Sequence, residues 1–175
     1  MLYKEVENFL DRRKCQEFMD KAEKTGNLDI DTEIGNDKYA RHDFRDRNLC
    51  KILFERFERF ERFLQHSENF IKTENIVDVA NLFYVSKYFP GNSINWHVDG
   101  HRNFDGKISK YSFILYLNDN FDGGETSIKD ENGSIVNIKP ETGKVLLLDQ
   151  DTLHCGKSVQ NGIKYILRGD LMSRK

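Results

Sequence analysis

His97, Asp99 and His154 are the residues of this chain whose types and order best suit chemistry. Side chains of an extended segment alternate with period two. The triplet His97-Val98-Asp99, which closes the run from Ile94, therefore sets an imidazole and a carboxylate on one face. His154 follows a second apolar run, Val145-Leu146-Leu147-Leu148, after the polar break Asp149-Gln150-Asp151-Thr152, and is expected to close the site from a neighbouring strand. Two imidazoles and one carboxylate on one face of a metal leave several coordination positions open, the ligand pattern of non-haem iron(II) chemistry with dioxygen. Gly100, directly after Asp99, puts these ligands at a strand end, on a rim. His101 lies beyond that glycine and is not expected to join them.

Lys164 lies ten residues past His154, after the turn signal Asn161-Gly162. On a last strand over Ile163–Leu171, Lys164, Ile166, Arg168 and Asp170 share one face, and Ile163, Tyr165, Leu167 and Leu171 share the other. The second row packs. The first carries two cations, which are costly to bury unpaired. A cation reaching into a cup beside a metal suits the far end of a dicarboxylate. Arg168, further along the row, pairs with Asp170 or a rim carboxylate, or touches cosubstrate or substrate.

Positioning such a site requires strands. From residue 76 onward the chain is rich in short β-type runs: Ile76–Phe89, Ile94–Asp99, Tyr111–Leu117, Glu125–Ile128, Ile135–Ile138 and Val145–Leu148. Asn118-Asp119, Asp122-Gly123-Gly124, Asn132-Gly133 and Pro140 through Gly143 separate them. On Tyr111–Leu117, Ser112, Ile114 and Tyr116 face one way and Tyr111, Phe113, Leu115 and Leu117 the other. Many short strands with no helix between them predict an antiparallel sandwich or barrel.

The earlier part reads differently. Val6, Phe9, Leu10, Phe18, Met19 and Ala22 fall near helical spacing over 6–24, ahead of the stop Thr25-Gly26-Asn27. A second helix over 48–65 places Leu49, Ile52, Leu53, Phe57, Phe60 and Leu64 inward. Its repeat Phe54-Glu-Arg-Phe57-Glu-Arg-Phe60-Glu-Arg-Phe63 slips about 60° per step, so the four rings sweep half the circumference. Glu55 to Arg59 and Glu58 to Arg62 are favourable pairs for an exposed side. Residues 26–47 read as a long polar connection with one short strand, and residues 100–110 as a lid beside the site, the two together selecting substrate. The expectation is one α+β domain over 1–175, with a helical support region at 1–75 and a jelly-roll core at 76–172.

At 175 residues the chain is long enough for a substantial core, and 38% hydrophobic with 32% charged content is ordinary for a globular protein. Its 27 basic and 29 acidic residues are interspersed and the pI is about 6.2, so nucleic acid is not favoured as a partner. Cys15, Cys50 and Cys155 have no metal-type spacing and suit a reducing, cytoplasmic setting; Cys155 is expected to be buried and inert. No membrane span and no signal peptide are read from the sequence.

Tyr88 and Pro90-Gly91 precede His97-x-Asp99; then come Tyr116-Leu117-Asn118, Gly123-Gly124-Glu125-Thr126, Pro140 through Gly143, Leu153-His154-x-Gly156 and Gly162-x-Lys164. In this order, and with the opening Phe9-Leu10 through Cys15 and Ala22-Glu23, the chain resembles Fe(II)- and 2-oxoglutarate-dependent dioxygenases of the prolyl 4-hydroxylase-like group. The resemblance implies a double-stranded β-helix (a jelly roll, cupin-like), with Fe(II) held by His97, Asp99 and His154. It also implies that 2-oxoglutarate chelates the metal beside dioxygen, with Lys164 and Tyr116 on its 5-carboxylate, Tyr88 near cosubstrate or substrate, and ascorbate supporting activity. The implied reaction hydroxylates an unactivated C–H bond and releases succinate and CO2. A peptidyl side chain, proline by family, is the first expectation for the substrate. A free amino acid or small metabolite is the alternative, and a catalytically silent 2-oxoglutarate-binding module is the reading from a different class. Ile94, where several relatives place tyrosine, and Tyr165, where collagen-type enzymes place tryptophan, depart from the family pattern.

Overall fold

Two aspartates set where the helices begin in the computed structural model, which describes residues 3–25, 28, 32–34, 37–64, 76–130 and 132–174. Asp11 Oδ1 accepts a hydrogen bond from Lys14 N at 2.9 Å, and Asp46 Oδ1 accepts from Asn48 N and Leu49 N, each at 3.0 Å. These N-caps satisfy amides that have no partner inside the helix, and they start α1 (Arg12–Thr25) and α2 (Arg47–Leu64). The helical spacing that begins at Val6 therefore predicts a start that is too early. Tyr3–Val6 instead forms a strand, β1, on the edge of the main sheet.

The connection expected over 26–47 also holds more strand than its polarity suggested, β2 (Thr32–Ile34) and β3 (Asp37–Phe44). Ile76–Phe89 divides into β4 (Ile76–Val79) and β5 (Phe83–Tyr88), followed by β6 (Ile94–His97). Residues 100–110, expected as a loop, carry regular structure. They form a hairpin of β7 (Asn103–Phe104) with the start of β8 (Lys107–Tyr116), tied by the pair Asn103–Ile108. The remaining strands are β9 (Asp122–Gly123), β10 (Thr126–Lys129), β11 (Ile135–Ile138), β12 (Val145–Asp149), β13 (His154–Gly156), β14 (Val159–Asn161) and β15 (Lys164–Arg174).

A large antiparallel sheet runs β1-β12-β8-β15-β5-β3-β2, with β4 also on β15 and β7 on β8; a smaller one runs β11-β10-β13-β6, and β14 pairs with β9. Period two explains the layers. In the run Val145-Leu146-Leu147-Leu148, Val145 and Leu147 join the cluster under the helices, while Leu146 and Leu148 join the cluster between the sheets. The same parity sorts β8: Tyr111, Phe113, Leu115 and Leu117 face the helices, and Ile114 and Tyr116 face inward. On α2, Leu49, Leu53 and Phe57 are buried, and Phe57 packs on Phe9 and Phe113 at ring separations of 4.6 and 5.5 Å. Each such side chain contributes roughly 1.5–3 kcal/mol. Ile52, expected inside, is 52% exposed because it falls off that stripe. Glu55, Glu58 and Arg59 lie on the exposed side. Gly26, Asn27 and Gly35 lie outside the described residues, as do the side chains of Phe60, Arg62, Phe63 and Leu64.

The N-terminal strand is held at the base of the barrel. Buried Lys144 Nζ meets Glu5 Oε2 at 3.1 Å, Glu7 Oε1 at 3.1 Å and Glu141 Oε1 at 2.9 Å. Beside it Leu10 N donates to Gly143 O at 3.0 Å, and a Cβ at Gly143 would fall 1.9 Å from Leu10 O. Gly143 also has φ +83, so Gly143→Ala combines backbone strain with a clash. A loss of roughly 2–4 kcal/mol in urea unfolding is expected; an unchanged midpoint would mean that this junction yields freely.

Candidate active site

Antiparallel pairing of β6 with β13 puts His97 directly opposite His154, with ring centroids 4.3 Å apart. Both rings are oriented by the backbone two residues upstream. His97 Nδ1 lies 2.8 Å from Asn95 O and His154 Nδ1 lies 2.9 Å from Thr152 O. A carbonyl can only accept, so each Nδ1 carries the proton and each Nε2 keeps its lone pair for the space between the rings. Asp99 enters that space from just past β6. Its Oδ1 is 3.6 Å from His97 Nε2, and its Oδ2 is 4.0 Å from His154 Nε2. One ligand atom from each of the three residues lies within 4.8 Å of the others.

This donor set fits a divalent metal. Asp99 Oδ2 is buried without a hydrogen-bond partner, a costly state for a carboxylate unless a cation takes it. The separations lie slightly outside the edge of about 3 Å that metal–ligand bonds of about 2.1 Å require, so a small inward shift closes the set. Its electrostatics are in keeping. Burial would raise the Asp99 pKa, but the neighbouring His97 ring and the Arg168 cation outweigh it and hold the carboxyl well below the usual range. Burial lowers the His154 pKa and favours the neutral ligand form. For His97 burial is outweighed by the nearby Asp99 carboxylate and the bond to Asn95 O, and its pKa is raised. His101 stays apart, bonded through Nδ1 to Ser109 O at 2.8 Å.

A pocket opens from this cluster into the barrel, lined along β15 by Lys164, Ile166 and Arg168, the row that alternation predicts. At its inner end Lys164 is buried, with Nζ donating to Gly124 O at 2.6 Å and lying 5.3 Å from the Tyr88 ring and 5.6 Å from the Tyr116 ring. Burial brings its pKa down to about 8. Gly124 makes room for the lysine stem, since a Cβ there would meet Lys164 Cδ at 3.2 Å. Tyr88 lines the pocket and stacks on Tyr39 at 4.9 Å. Tyr116 is fully buried behind the wall; its hydroxyl lies 2.7 Å from Thr126 Oγ1, and it is Thr126 that lines the pocket.

Arg168 pairs with Asp99 Oδ1 rather than with Asp170. Asp170 is instead taken by Arg102 at 3.4 Å and Gln150 at 3.2 Å. Cys155 is buried, as expected, and borders the pocket. Sequence reasoning missed Tyr84, Arg41 and Thr126. Tyr84 shares with Ser86 and Tyr88 one face of β5, a parity visible in the sequence. Arg41 was hidden because its segment read as a connection. None of residues 100–110 lines this pocket.

Residues 83–169 match the model of the 2OG-Fe(II) oxygenase superfamily. A PKHD-type hydroxylase of Synechococcus sp. (strain CC9605) is 29% identical over 105 residues, 59% of this chain and 47% of that protein. The chain thus spans about half the length of the curated relatives it matches. The viral collagen prolyl hydroxylase of Paramecium Bursaria Chlorella virus-1, solved with 2-oxoglutarate, superposes with a TM-score of 0.70 at 21% identity, over 99% of this chain and 97% of that one. A prolyl-4-hydroxylase of Pseudomonas putida gives 0.69 at 16% identity, over 99% and 92%. These likenesses carry the fold, a double-stranded β-helix. With the sequence match running from β5 through the inward-facing row of β15, and so across both histidines, the aspartate and the buried lysine, the chain belongs to the 2OG-Fe(II) oxygenase superfamily.

Proposed function

We propose that the chain is one Fe(II)- and 2-oxoglutarate-dependent hydroxylase domain, with His97 Nε2, His154 Nε2 and Asp99 Oδ2 as metal ligands. The observation that carries this reading is the convergence of one ligand atom from each of these residues at one end of a pocket whose other end holds a buried lysine. Bound iron(II) supplies the redox chemistry with dioxygen that no side chain here provides. The balance is C–H + O2 + 2-oxoglutarate giving C–OH + succinate + CO2.

The protein binds, orients and excludes water. Lys164 receives the 5-carboxylate of 2-oxoglutarate as a charge-assisted contact. Tyr88 and Thr126 flank that carboxylate, with the Tyr116 hydroxyl holding Thr126 in place. Ile114 and Ile166 supply the apolar walls that keep the middle of the pocket dry. Ascorbate serves as the supporting reductant. By family, the substrate is a peptidyl side chain such as proline, with a free amino acid or small metabolite as the alternative. The buried, unpaired cysteines support a cytoplasmic setting; no helix among the described residues is long and apolar enough to cross a membrane.

The test is succinate release by purified protein given Fe(II), ascorbate and 2-oxoglutarate without a substrate. Slow succinate formation is expected. Absence of succinate above a metal-chelated control would make the chain a silent 2-oxoglutarate-binding module.

A further inference from the structure

We infer that the substrate oxidised in this pocket carries a carboxylate, received by Arg168 and Arg41 at the open end beside Asp99. The inference rests on the oxygenase reading above and narrows it to a substrate class.

The wall of the pocket is biased in charge. Arg41, Lys157, Lys164 and Arg168 line it, and no Asp or Glu is among the described residues that do, although acids outnumber bases in the whole chain, 29 to 27. A divalent metal, the Asp99 carboxylate, a 2-oxoglutarate dianion and the Lys164 ammonium sum to zero. Lys164 is thereby accounted for. Arg168 then adds one positive charge that nothing in the loaded site balances.

The surroundings of Arg168 bear this out. Its buried Nη2 is held by ion pairing to Asp99 Oδ1 alone, on the very carboxylate a metal would draw on. Its neighbours are committed elsewhere. The Tyr84 ring sits among three guanidinium groups, those of Arg41 at 5.0 Å, Arg102 at 5.3 Å and Arg168 at 5.9 Å. Arg102 is consumed by the Tyr84 hydroxyl at 2.5 Å and by Asp170. Arg41 is paired with Asp43 at 2.9 Å, yet its side chain still borders the opening. Tyr84 thus holds two guanidinium groups, Arg41 and Arg168, toward one aperture.

A half-buried cation of this kind is matched by an anion or it opposes folding. The planar fork of a guanidinium suits a carboxylate. A neutral prolyl side chain leaves the surplus standing. Since Arg168 touches a metal ligand, the carboxylate lies only a few bonds from the carbon that is hydroxylated. It comes either from the α-carboxylate of a free amino acid or from an acidic side chain of a peptide.

The experiment uses the full chain loaded with Fe(II) and 2-oxoglutarate. Free amino acids are compared with their own amides, L-proline against L-prolinamide among them, and Asp- or Glu-containing peptides with their Asn or Gln counterparts. Succinate release above the substrate-free rate is one readout; equilibrium binding to the Mn(II)- and 2-oxoglutarate-loaded protein is the second. Stimulation and binding confined to carboxylate probes, with neutral partners at least tenfold weaker, are expected; the arm that responds identifies the source. Arg41→Gln, which does not touch Asp99, raises KM at least tenfold with kcat within a few-fold and with iron content unchanged. Arg168→Gln raises KM further.

Neutral probes that serve as well as acids would overturn the inference, as would a carboxylate set that neither binds nor stimulates. So would an Arg41→Gln variant of unchanged KM beside an Arg168→Gln variant that merely loses iron, which would leave Arg168 as a positioning residue for Asp99. Substrate-free succinate release by the wild type keeps these failures apart from failure of the oxygenase reading itself.

Discussion

His154→Ala is expected to abolish succinate formation, lowering it by about a thousandfold or more, with loss of bound iron measured on the same preparation. The size of the effect follows from geometry. Three side chains supply the candidate ligand set among the described residues, and His154 is the buried histidine of the two. Its Nδ1 is already tied to Thr152 O, so Nε2 has no other task among the described contacts than the central space. Alanine leaves His97 and Asp99, and Asp99 is still held by Arg168, which then competes with a metal for the carboxylate. Removing the hydrogen bond that orients a metal ligand typically costs 10–100-fold in affinity, and removing a ligand costs more. His101→Ala is the matched control, because His101 is engaged with Ser109 O and Asp151 away from the cluster and should keep both iron and activity. A His154→Ala protein that binds one iron and releases succinate at the control rate would remove the metal assignment.

The barrel was legible wherever alternation acts alone. The inward row of β15 and the two faces of β8 follow from period two, and both partition between the helix-facing and sheet-facing clusters as that rule requires. Pairing of His97 with His154 was implied by their shared position at strand ends, although the register itself is a property of β6 and β13 together.

What stayed hidden depends on competition between local signals. Val6 fits a helical spacing, but an aspartate cap at residue 11 and an open edge of β12 draw Tyr3–Val6 into the sheet. β3 alternates Tyr39, Arg41 and Asp43 with Ala40, His42 and Phe44, a composition whose polarity resembles a loop. Only pairing with β5 makes it a strand, and it brings Arg41 to the pocket. The partner of Arg168 was beyond parity. Asp170 lies on the same row and is nearer in sequence, yet Arg102 and Gln150 occupy it, which leaves Arg168 to Asp99.

Lys164→Ala should raise the 2-oxoglutarate concentration needed for half-maximal succinate release by about two to three orders of magnitude, with little change in the rate at saturation. Truncating one partner of a buried, hydrogen-bonded charge pair costs about 2–5 kcal/mol, and every 1.4 kcal/mol is tenfold. Lys164 meets the conditions for the upper half of that range. It is only 4% exposed, it is enclosed by the Tyr88 and Tyr116 rings, and its hydrogen bond to Gly124 O leaves two ammonium protons for a carboxylate. Lys164→Arg is not expected to restore affinity, because the stem is already hemmed by Gly124 and a longer, planar head has no room. The pH dependence gives an independent check. Burial favours the neutral amine and lowers the Lys164 pKa to about 8, while only the protonated form attracts the dianion. Affinity for 2-oxoglutarate should therefore be full below about pH 8 and fall roughly tenfold per unit above it, whereas Lys164→Ala should be flat across the same interval. Wild-type affinity that stays constant from pH 7 to 9.5, or an alanine variant with an unaltered 2-oxoglutarate requirement, would detach this lysine from the cosubstrate.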